Sequence, residues 1–535
     1  MITNLKVYFS KNSFLAGSLL ITIVFLITRI PYYIYYPVFN VSSDSASYLA
    51  AAFDIINFRQ VLFDIRTPGY PLFIAFIWIF SKSFIAIAFA QSVLALISGI
   101  YLLKVIDKYF RSVTFVSAVS IAAFISSSYF VLLESGILTE SLFISSLLFT
   151  CAFLISAIKS GKLSGWILFS SFTAITIIIR PAGLFLAAVI IFLIIYLIVN
   201  KYKAVYFGAL IFPVSILILL LCTYNYMTLK KFTITPFGEA NLSGVTILFM
   251  EPSDNYSSKV NEAIRSTLDS IPSRDINYVK NSNGITKLYN IFKDNFFRQM
   301  NLTGSLLSDN SGTKYSDVQH ILREISIDAI KKNPKIYLKF FVSNFIYFFN
   351  NTRATMNYAD ELLKSYDRAV VQKKYITDLE SGKWKQISSD KSDNGEVRNY
   401  YLNAVNESAD SDGFVQIDNN LKMKDTFAMN IYNYYEQTYN FIFRNFIWLI
   451  IFLITFILSV YRTLKNRFRD NDAFIIFLFG IMFISKALLV SSVESSLVRY
   501  SYTVEFVIFL SLPFLILLLK SNKHIIPLTN KKKNN

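Results

Sequence analysis

The sequence predicts an α-helical protein that crosses a membrane many times, and three observations carry that prediction. Hydrophobic residues make up 54% of the 535-residue chain, only 16% of residues are charged, and the mean hydropathy is +0.46. Soluble domains are apolar in only about 45–50% of their residues. Apolar runs recur at lengths near 20 residues, about what a helix needs to cross a hydrocarbon core of roughly 30 Å. The net charge of +17 is also unevenly placed: residues 229–440 hold 26 Lys+Arg and 25 Asp+Glu, and the other 323 hold 26 and 10. A basic nucleic-acid module is rich in surface charge and a disordered chain is polar. This composition fits neither, so no nucleic-acid partner is expected.

Ten spans are read in order, near residues 13–36, 84–104, 113–133, 138–158, 164–180, 182–200, 204–228, 441–461, 473–492 and 502–520. Two apolar segments are too short to cross: residues 69–80, read as an interfacial or re-entrant helix, and residues 336–349 after Asn333-Pro334. An even number of spans puts both termini on one side. The loops on that side carry Lys6, Lys11, Lys104, Lys108, Arg111, Lys159, Lys162, Lys201, Lys203, Arg462, Lys465, Arg467, Arg469, Lys520, Lys523 and Lys531–Lys533. These are 18 of the 26 basic residues outside the insert, with three acids, Asp107, Asp470 and Asp472. The positive-inside rule makes that side cytoplasmic. The first run continues into Pro31 without a small-residue cleavage site, so it reads as an uncleaved anchor. Cys151 and Cys222 both fall in spans, and no disulfide framework is implied.

Three regions follow: a membrane core at 1–228 with a first outer loop at 37–83, an extracytoplasmic insert of mixed or helical structure at 229–440, and C-terminal spans with a basic tail at 441–535. The usage of Asn, Lys, Ile and Phe points to an AT-rich bacterial genome and the plasma membrane.

The first loop is the most informative stretch. Asp44 precedes Tyr48, Ala51 and Ala52 at helical spacing, and Arg66-Thr67-Pro68-Gly69-Tyr70-Pro71 stiffens the return to the membrane. Asp44 reads equally as a helix N-cap and as a functional carboxylate. Arg66 reads as a headgroup contact or a ligand for a specific phosphate. At or near outer span ends lie Glu134, Glu140, Arg180, Lys486, Glu494 and Arg499; ionisable groups at such depth pair with one another or line a functional cavity. Glu140 suits a helix N-terminus electrostatically, and Arg180 and Arg499 suit snorkelling to the interface. What distinguishes them is that acids and arginines gather on the side opposite the lysine-rich loops.

Several chemistries are absent. The sequence has no Walker loop and no Gly-x-Gly-x-x-Gly, and only His320 and His524 are available for a histidine metal cluster or a serine–histidine triad. Asp410-x-Asp412 and Asp470-x-Asp472 have the spacing of a metal–nucleotide-sugar site, a pattern common in polar loops.

Asp44-x3-Tyr48-x3-Ala52 followed by Arg66-x-Pro68-Gly69-Tyr70-Pro71 resembles the first outer loop of GT-C glycosyltransferases, in the branch of the protein O-mannosyltransferases and the lipid A aminoarabinose transferase. Leu138 to Phe143, Arg180-Pro181-x-Gly183 and Glu494-x4-Arg499-Tyr500 are similar to that branch as well. The matches spread over residues 1–245 and 440–520, with diffuse similarity at Asn241–Gly244 and Asn333-Pro334. The resemblance implies a GT-C-like bundle that moves a sugar from a polyprenyl-phosphate donor to an acceptor glycan, lipid or protein on the outer face. It makes Asp44 the catalytic carboxylate, with Glu140 as the second outer acid. It makes Arg66 the contact to the carrier phosphate; Arg180 and Arg499 are expected as lesser phosphate partners, and Tyr48 and Tyr70 complete the expected substrate-binding set. No cofactor is required; a divalent cation is the one that the pattern leaves open, and Ser45 stands where many relatives carry a second acid. A transporter or flippase for a lipid-linked saccharide would also place charges in the membrane, but should show repeat symmetry and broken spans. A receptor would explain the insert and not the first-loop pattern.

Overall fold

The computed structural model describes residues 12–35, 43–61, 63, 66–81, 84–235, 238–307, 315–354 and 427–521. These residues are helical, with no β-strand among them. The first membrane half contains α1 (Ser13–Tyr35), α2 (Ser43–Ile56), α3 (Gly69–Phe80), α4 (Phe84–Phe110), α5 (Thr114–Ser126), α6 (Ser128–Ser135), α7 (Thr139–Ser160), α8 (Leu163–Ile179), α9 (Leu186–Val199) and α10 (Ala204–Leu229). The insert folds as α11 (Gly238–Thr246), α12 (Ser258–Asp269), α13 (Ser273–Asn281), α14 (Ile285–Asn295), α15 (Gln299–Leu307), α16 (Tyr315–Lys332) and α17 (Pro334–Asn351). The chain returns through α18 (Phe427–Phe443), α19 (Phe446–Lys465), α20 (Asn471–Val493), α21 (Val498–Tyr502) and α22 (Phe506–Ser521).

Eight stretches among the described residues are long and apolar enough to cross a membrane: 13–30, 85–126, 139–160, 181–199, 204–229, 434–465, 471–493 and 498–520. The 85–126 stretch holds two helices, α4 and α5, and the apolar α8 (17 residues) packs between α7 and α10. Each of the ten segments expected from the sequence is thus largely helical. This is a multi-pass membrane protein. The 12-residue α3 is about 18 Å long at 1.5 Å per residue, too short to cross.

Local sequence explains the helix ends. Asp470 caps α20, its carboxylate accepting from Ala473 N at 3.1 Å, and Asn445 caps α19 through Ile447 N. Gly161 ends α7 at φ +62°, the left-handed conformation that favours glycine. One expected span, 113–133, differs: its helix stops at Ser126 and restarts at Ser128. The last four carbonyls of a helix have no partner within it. At the end of α5 they are taken by side chains from distant segments. Tyr439 donates to Ala123 O at 3.0 Å, Tyr502 to Phe124 O at 3.0 Å, Arg29 to Ile125 O at 2.5 Å and Tyr435 to Ser126 O at 2.7 Å. Those bonds make a break affordable inside an apolar environment.

Two large hydrophobic cores result, with two smaller clusters around Phe63 and Val214 among the described residues. One runs through the membrane helices and includes Phe348 of α17, and the other lies within the insert, around Phe249, Ile264, Leu322 and Phe340. The helices also sort the polar groups into two ends. α7 starts at Glu140's turn and finishes about 33 Å away at Lys159 and Ser160. At that far end Lys159 pairs with Asp472, Arg462 with Asp470 at 2.5 Å, and Lys520 reaches Ser112 O at 3.4 Å. The lysine-rich loops that the sequence placed on one side therefore meet at one end of the bundle. Cys151 and Cys222 are both free and buried.

Candidate functional site

At the opposite end, five charged side chains alternate in sign. Asp44, in the first turn of α2, accepts from Arg66 Nη2 at 2.8 Å through Oδ1 and from Arg499 Nη1 at 3.3 Å through Oδ2. Arg499 Nε also lies 3.9 Å from Glu140 Oε1, and that oxygen is 2.6 Å from Arg180 Nη1. The order is Arg66, Asp44, Arg499, Glu140, Arg180: three guanidinium groups to two carboxylates. Asp44 is 30% exposed and Glu140 only 2%, so one acid can meet a ligand and the other is enclosed.

Each residue has a local reason for its place. The Ser47 hydroxyl accepts from Arg66 Nε at 2.8 Å and donates to Asp44 O at 2.7 Å, which joins Arg66 to the first turn of α2. Arg66 also lies over the Tyr48 ring, 4.7 Å from its centroid, and Tyr48 meets the Tyr70 ring edge to face at 5.0 Å. Burial pushes the Tyr48 hydroxyl above the usual phenol range, with Arg66 opposing the shift, and burial raises Tyr70 further still. Both phenols therefore stay neutral. Tyr70 uses its hydroxyl to donate to Gln91 Oε1 at 3.0 Å, and the Gln91 amide donates to Glu134 O at 2.7 Å and Gly136 O at 3.0 Å. Ser45 donates to Ile137 O at 2.9 Å. The approach to Glu140 is thus pinned from both α2 and α4.

The Pro68-Gly69 turn has a matching purpose. A Cβ on Gly69 would lie 2.6 Å from Ile179 N and 2.7 Å from Ile178 O, so only glycine lets α3 start directly against the end of α8. Thr67 donates to Ile179 O at 3.3 Å at the same junction. The next residue along that backbone is Arg180, whose guanidinium lies 5.1 Å from the centroid of the Tyr500 ring.

The insert holds the remaining member. Residues 492–496, just before Arg499, are clamped by insert side chains. Tyr337 donates to Ser492 O at 2.9 Å, Asn344 to Glu494 O, and Asn351 and Tyr289 to Ser496 O, each at 2.6 Å. Asn344 Oδ1 accepts from Ser496 N at 2.6 Å, and Asn241 donates to Glu494 Oε1 at 2.8 Å. The insert thereby fixes the segment that delivers Arg499.

Asp44, Tyr48, Arg66, Tyr70, Glu140, Arg180 and Arg499, all singled out from the sequence, come together. Glu134 does not join them: it forms a buried two-pronged pair with Arg29, at 2.9 Å on both prongs, and accepts from Ser92 at 3.0 Å. Glu494 is held by Asn241, and Lys486 packs against the Phe143 and Phe185 rings. A second buried pair, Arg444 with Glu505, bonds to Thr352 O. Arg29 and Glu505 were missed in the sequence, although each is a lone charge inside an apolar run, which is itself a signal. Asp470 and Asp472 are spent on helix capping and ion pairs, and His320 faces Glu324 on the surface of α16. Asp410 and Asp412 lie outside the described residues. No group of three or more His, Cys, Asp or Glu positioned to hold a metal occurs among the described residues.

No protein-family model matches the chain, and no curated protein matches it. Among solved structures, the chain is similar to the crystal structure of ArnT from Cupriavidus metallidurans bound to undecaprenyl phosphate, at 9% identity. The match covers 89% of this chain and 76% of that one, with a TM-score of 0.31.

Proposed function

We propose that this protein is a GT-C-type glycosyltransferase that moves a sugar from a polyprenyl-phosphate donor to an acceptor glycan, lipid or protein on the outer face of the membrane. The observation that carries the reading is Asp44, a partly exposed carboxylate with a guanidinium on each oxygen. A carboxylate offers about four lone-pair positions, and the two arginines occupy two, which leaves room for the proton of an acceptor hydroxyl.

In this account Asp44 is the general base. It takes the proton as the acceptor oxygen forms a bond to the anomeric carbon. The bond from that carbon to the phosphate oxygen breaks, and its electron pair leaves with the polyprenyl phosphate. Arg66, Arg180 and Arg499 neutralise the departing phosphate through forked, permanently charged donors. With three guanidiniums against Asp44 and Glu140, the group has one positive charge to spare, which suits an anionic ligand. Tyr48 and Tyr70 form the aromatic wall that fixes Arg66. The membrane parts at 1–228 and 441–535 supply the catalytic groups and bed the lipid tail, and the 229–440 insert positions Arg499. Both termini face the cytoplasm of a bacterial plasma membrane, on the lysine-rich side.

Purified protein in proteoliposomes, given polyprenyl-phosphate sugars labelled in the sugar, tests this. Label passing to an acceptor with release of unglycosylated polyprenyl phosphate is the expected result. Intact donor crossing to the other leaflet without release would make the protein a flippase instead.

A further inference from the structure

Lys486, on α20, is fully buried at 0% exposure, and its Nζ has no hydrogen-bond partner among the described residues. The rings of Phe143 and Phe185 flank that nitrogen, their centroids 5.4 and 5.6 Å away. Phe143 lies one helical turn beyond Glu140 on α7. Phe185 closes the short 3-10 helix, Pro181–Phe185, that follows Arg180. The charged groups near enough to act on this nitrogen electrostatically are Arg180, Glu494 and Glu140. A buried amine without a hydrogen-bond partner is strongly disfavoured as a cation, so its charged form calls for a state of the protein in which it is paired.

The neighbours supply that state. Arg180 is committed to Glu140 at 2.6 Å, and Arg499 bridges Glu140 and Asp44. A phosphate that engages these two guanidiniums competes with Glu140 for the Arg180 donor and for the nearby charge of Arg499. Glu140 cannot go to water to recover the loss, since it is enclosed. A buried carboxylate without a cation is strongly disfavoured. We propose that Lys486 is a positioning residue that takes over as the counter-ion of Glu140 when the donor phosphate occupies Arg180 and Arg499. Its flexible four-carbon stem permits the swing that a fixed guanidinium fork does not. Without ligand the amine waits unpaired; with ligand, its charged form frees both arginines for the phosphate. This rests on phosphate binding by the arginines, as proposed above.

The test uses the full chain in nanodiscs, with a polyprenyl monophosphate as the probe and the uncharged polyprenol as its control. Lys486→Met should melt at or above the wild-type temperature without ligand, because an unpaired buried amine has gone. It should nevertheless bind the phosphate about tenfold more weakly (about 1.4 kcal/mol) and the polyprenol equally well. In a Glu140→Gln background the same substitution should change phosphate affinity by less than about twofold, because the partner it serves is already neutral. A Lys486→Met protein that binds like wild type overturns the proposal, as does an undiminished tenfold loss in the Glu140→Gln background. Lys486→Gln is the second truncation; if neither it nor Lys486→Met folds, the side chain is purely structural and the proposal falls. A wild-type protein that fails to distinguish the phosphate from the polyprenol instead overturns the donor reading itself.

Discussion

Arg499 Nη1 lies 3.3 Å from Asp44 Oδ2 across 455 residues of chain. The first loop and the start of the last membrane stretch therefore share one ion pair, and through Arg499 Nε that pair extends to Glu140. If the arginine acts through this arrangement, Arg499→Gln should lower sugar transfer by at least about tenfold, the lower range for a hydrogen bond to a charged group. In the Asp44→Asn background it should add little, because residues acting as a unit are non-additive. Steady-state transfer rates for both single variants and the double variant check this; multiplicative losses would mean that the two residues act separately.

Asn344→Ala tests the clamp on residues 492–496. Asn344 is 1% exposed and bonds both Glu494 O and Ser496 N. Its loss leaves the buried Ser496 N unpaired, at about 1–3 kcal/mol, and the partly buried Glu494 O as well. Thermal unfolding should show that loss, and transfer by the remaining folded protein should fall with it because Arg499 is no longer held. Full activity per folded molecule would separate the insert from the site.

Gly69→Ala should be more disruptive than its one added methyl group suggests. The new Cβ meets backbone atoms of Ile178 and Ile179 below 3.0 Å, and backbone cannot rotate aside. Overpacking of this kind costs about 1–3 kcal/mol and pushes the Arg66 turn away from Arg180. The expected outcome is a lower melting temperature together with weaker donor binding, measured on the same preparation.

Glu134→Gln provides the contrast. Glu134 and Arg29 are both nearly fully buried and bonded to each other, and breaking such a pair by removing one charge costs about 3–5 kcal/mol. Neither touches the Asp44 group. Stability in detergent should drop by that order, and the transfer rate of correctly inserted protein should be nearly unchanged.

How much of this was legible in the sequence varies with the range of the interaction. Runs such as 139–160 and 471–493 declare themselves as helices because membrane length and apolarity are local properties. Asp44 and Arg66 stand in one loop with Tyr48 and the proline turn, so the resemblance could name them together, while the ion pair between them was not read from the sequence. The Arg499–Asp44 pair and the Asn344 clamp join residues 455 and about 150 positions apart, and no local pattern encodes such a meeting. The break at Ser127 is of the same kind, since the tyrosines that satisfy the carbonyls of α5 lie more than 300 residues away. Arg29 was hidden for another reason: one cation in a long apolar run barely alters its hydropathy, and its partner Glu134 lies beyond four further helices.

The central claim is that Asp44 takes the proton from the acceptor, and Asp44→Asn tests it most directly. The substitution keeps the size of the side chain and its place in α2, but removes the basic oxygen. A positioned general base contributes about 10²–10⁴-fold to rate. Asp44→Asn protein that inserts normally and still binds polyprenyl phosphate should therefore lose at least about 10²-fold in transfer of labelled sugar. Transfer at the wild-type rate by that variant would contradict the account.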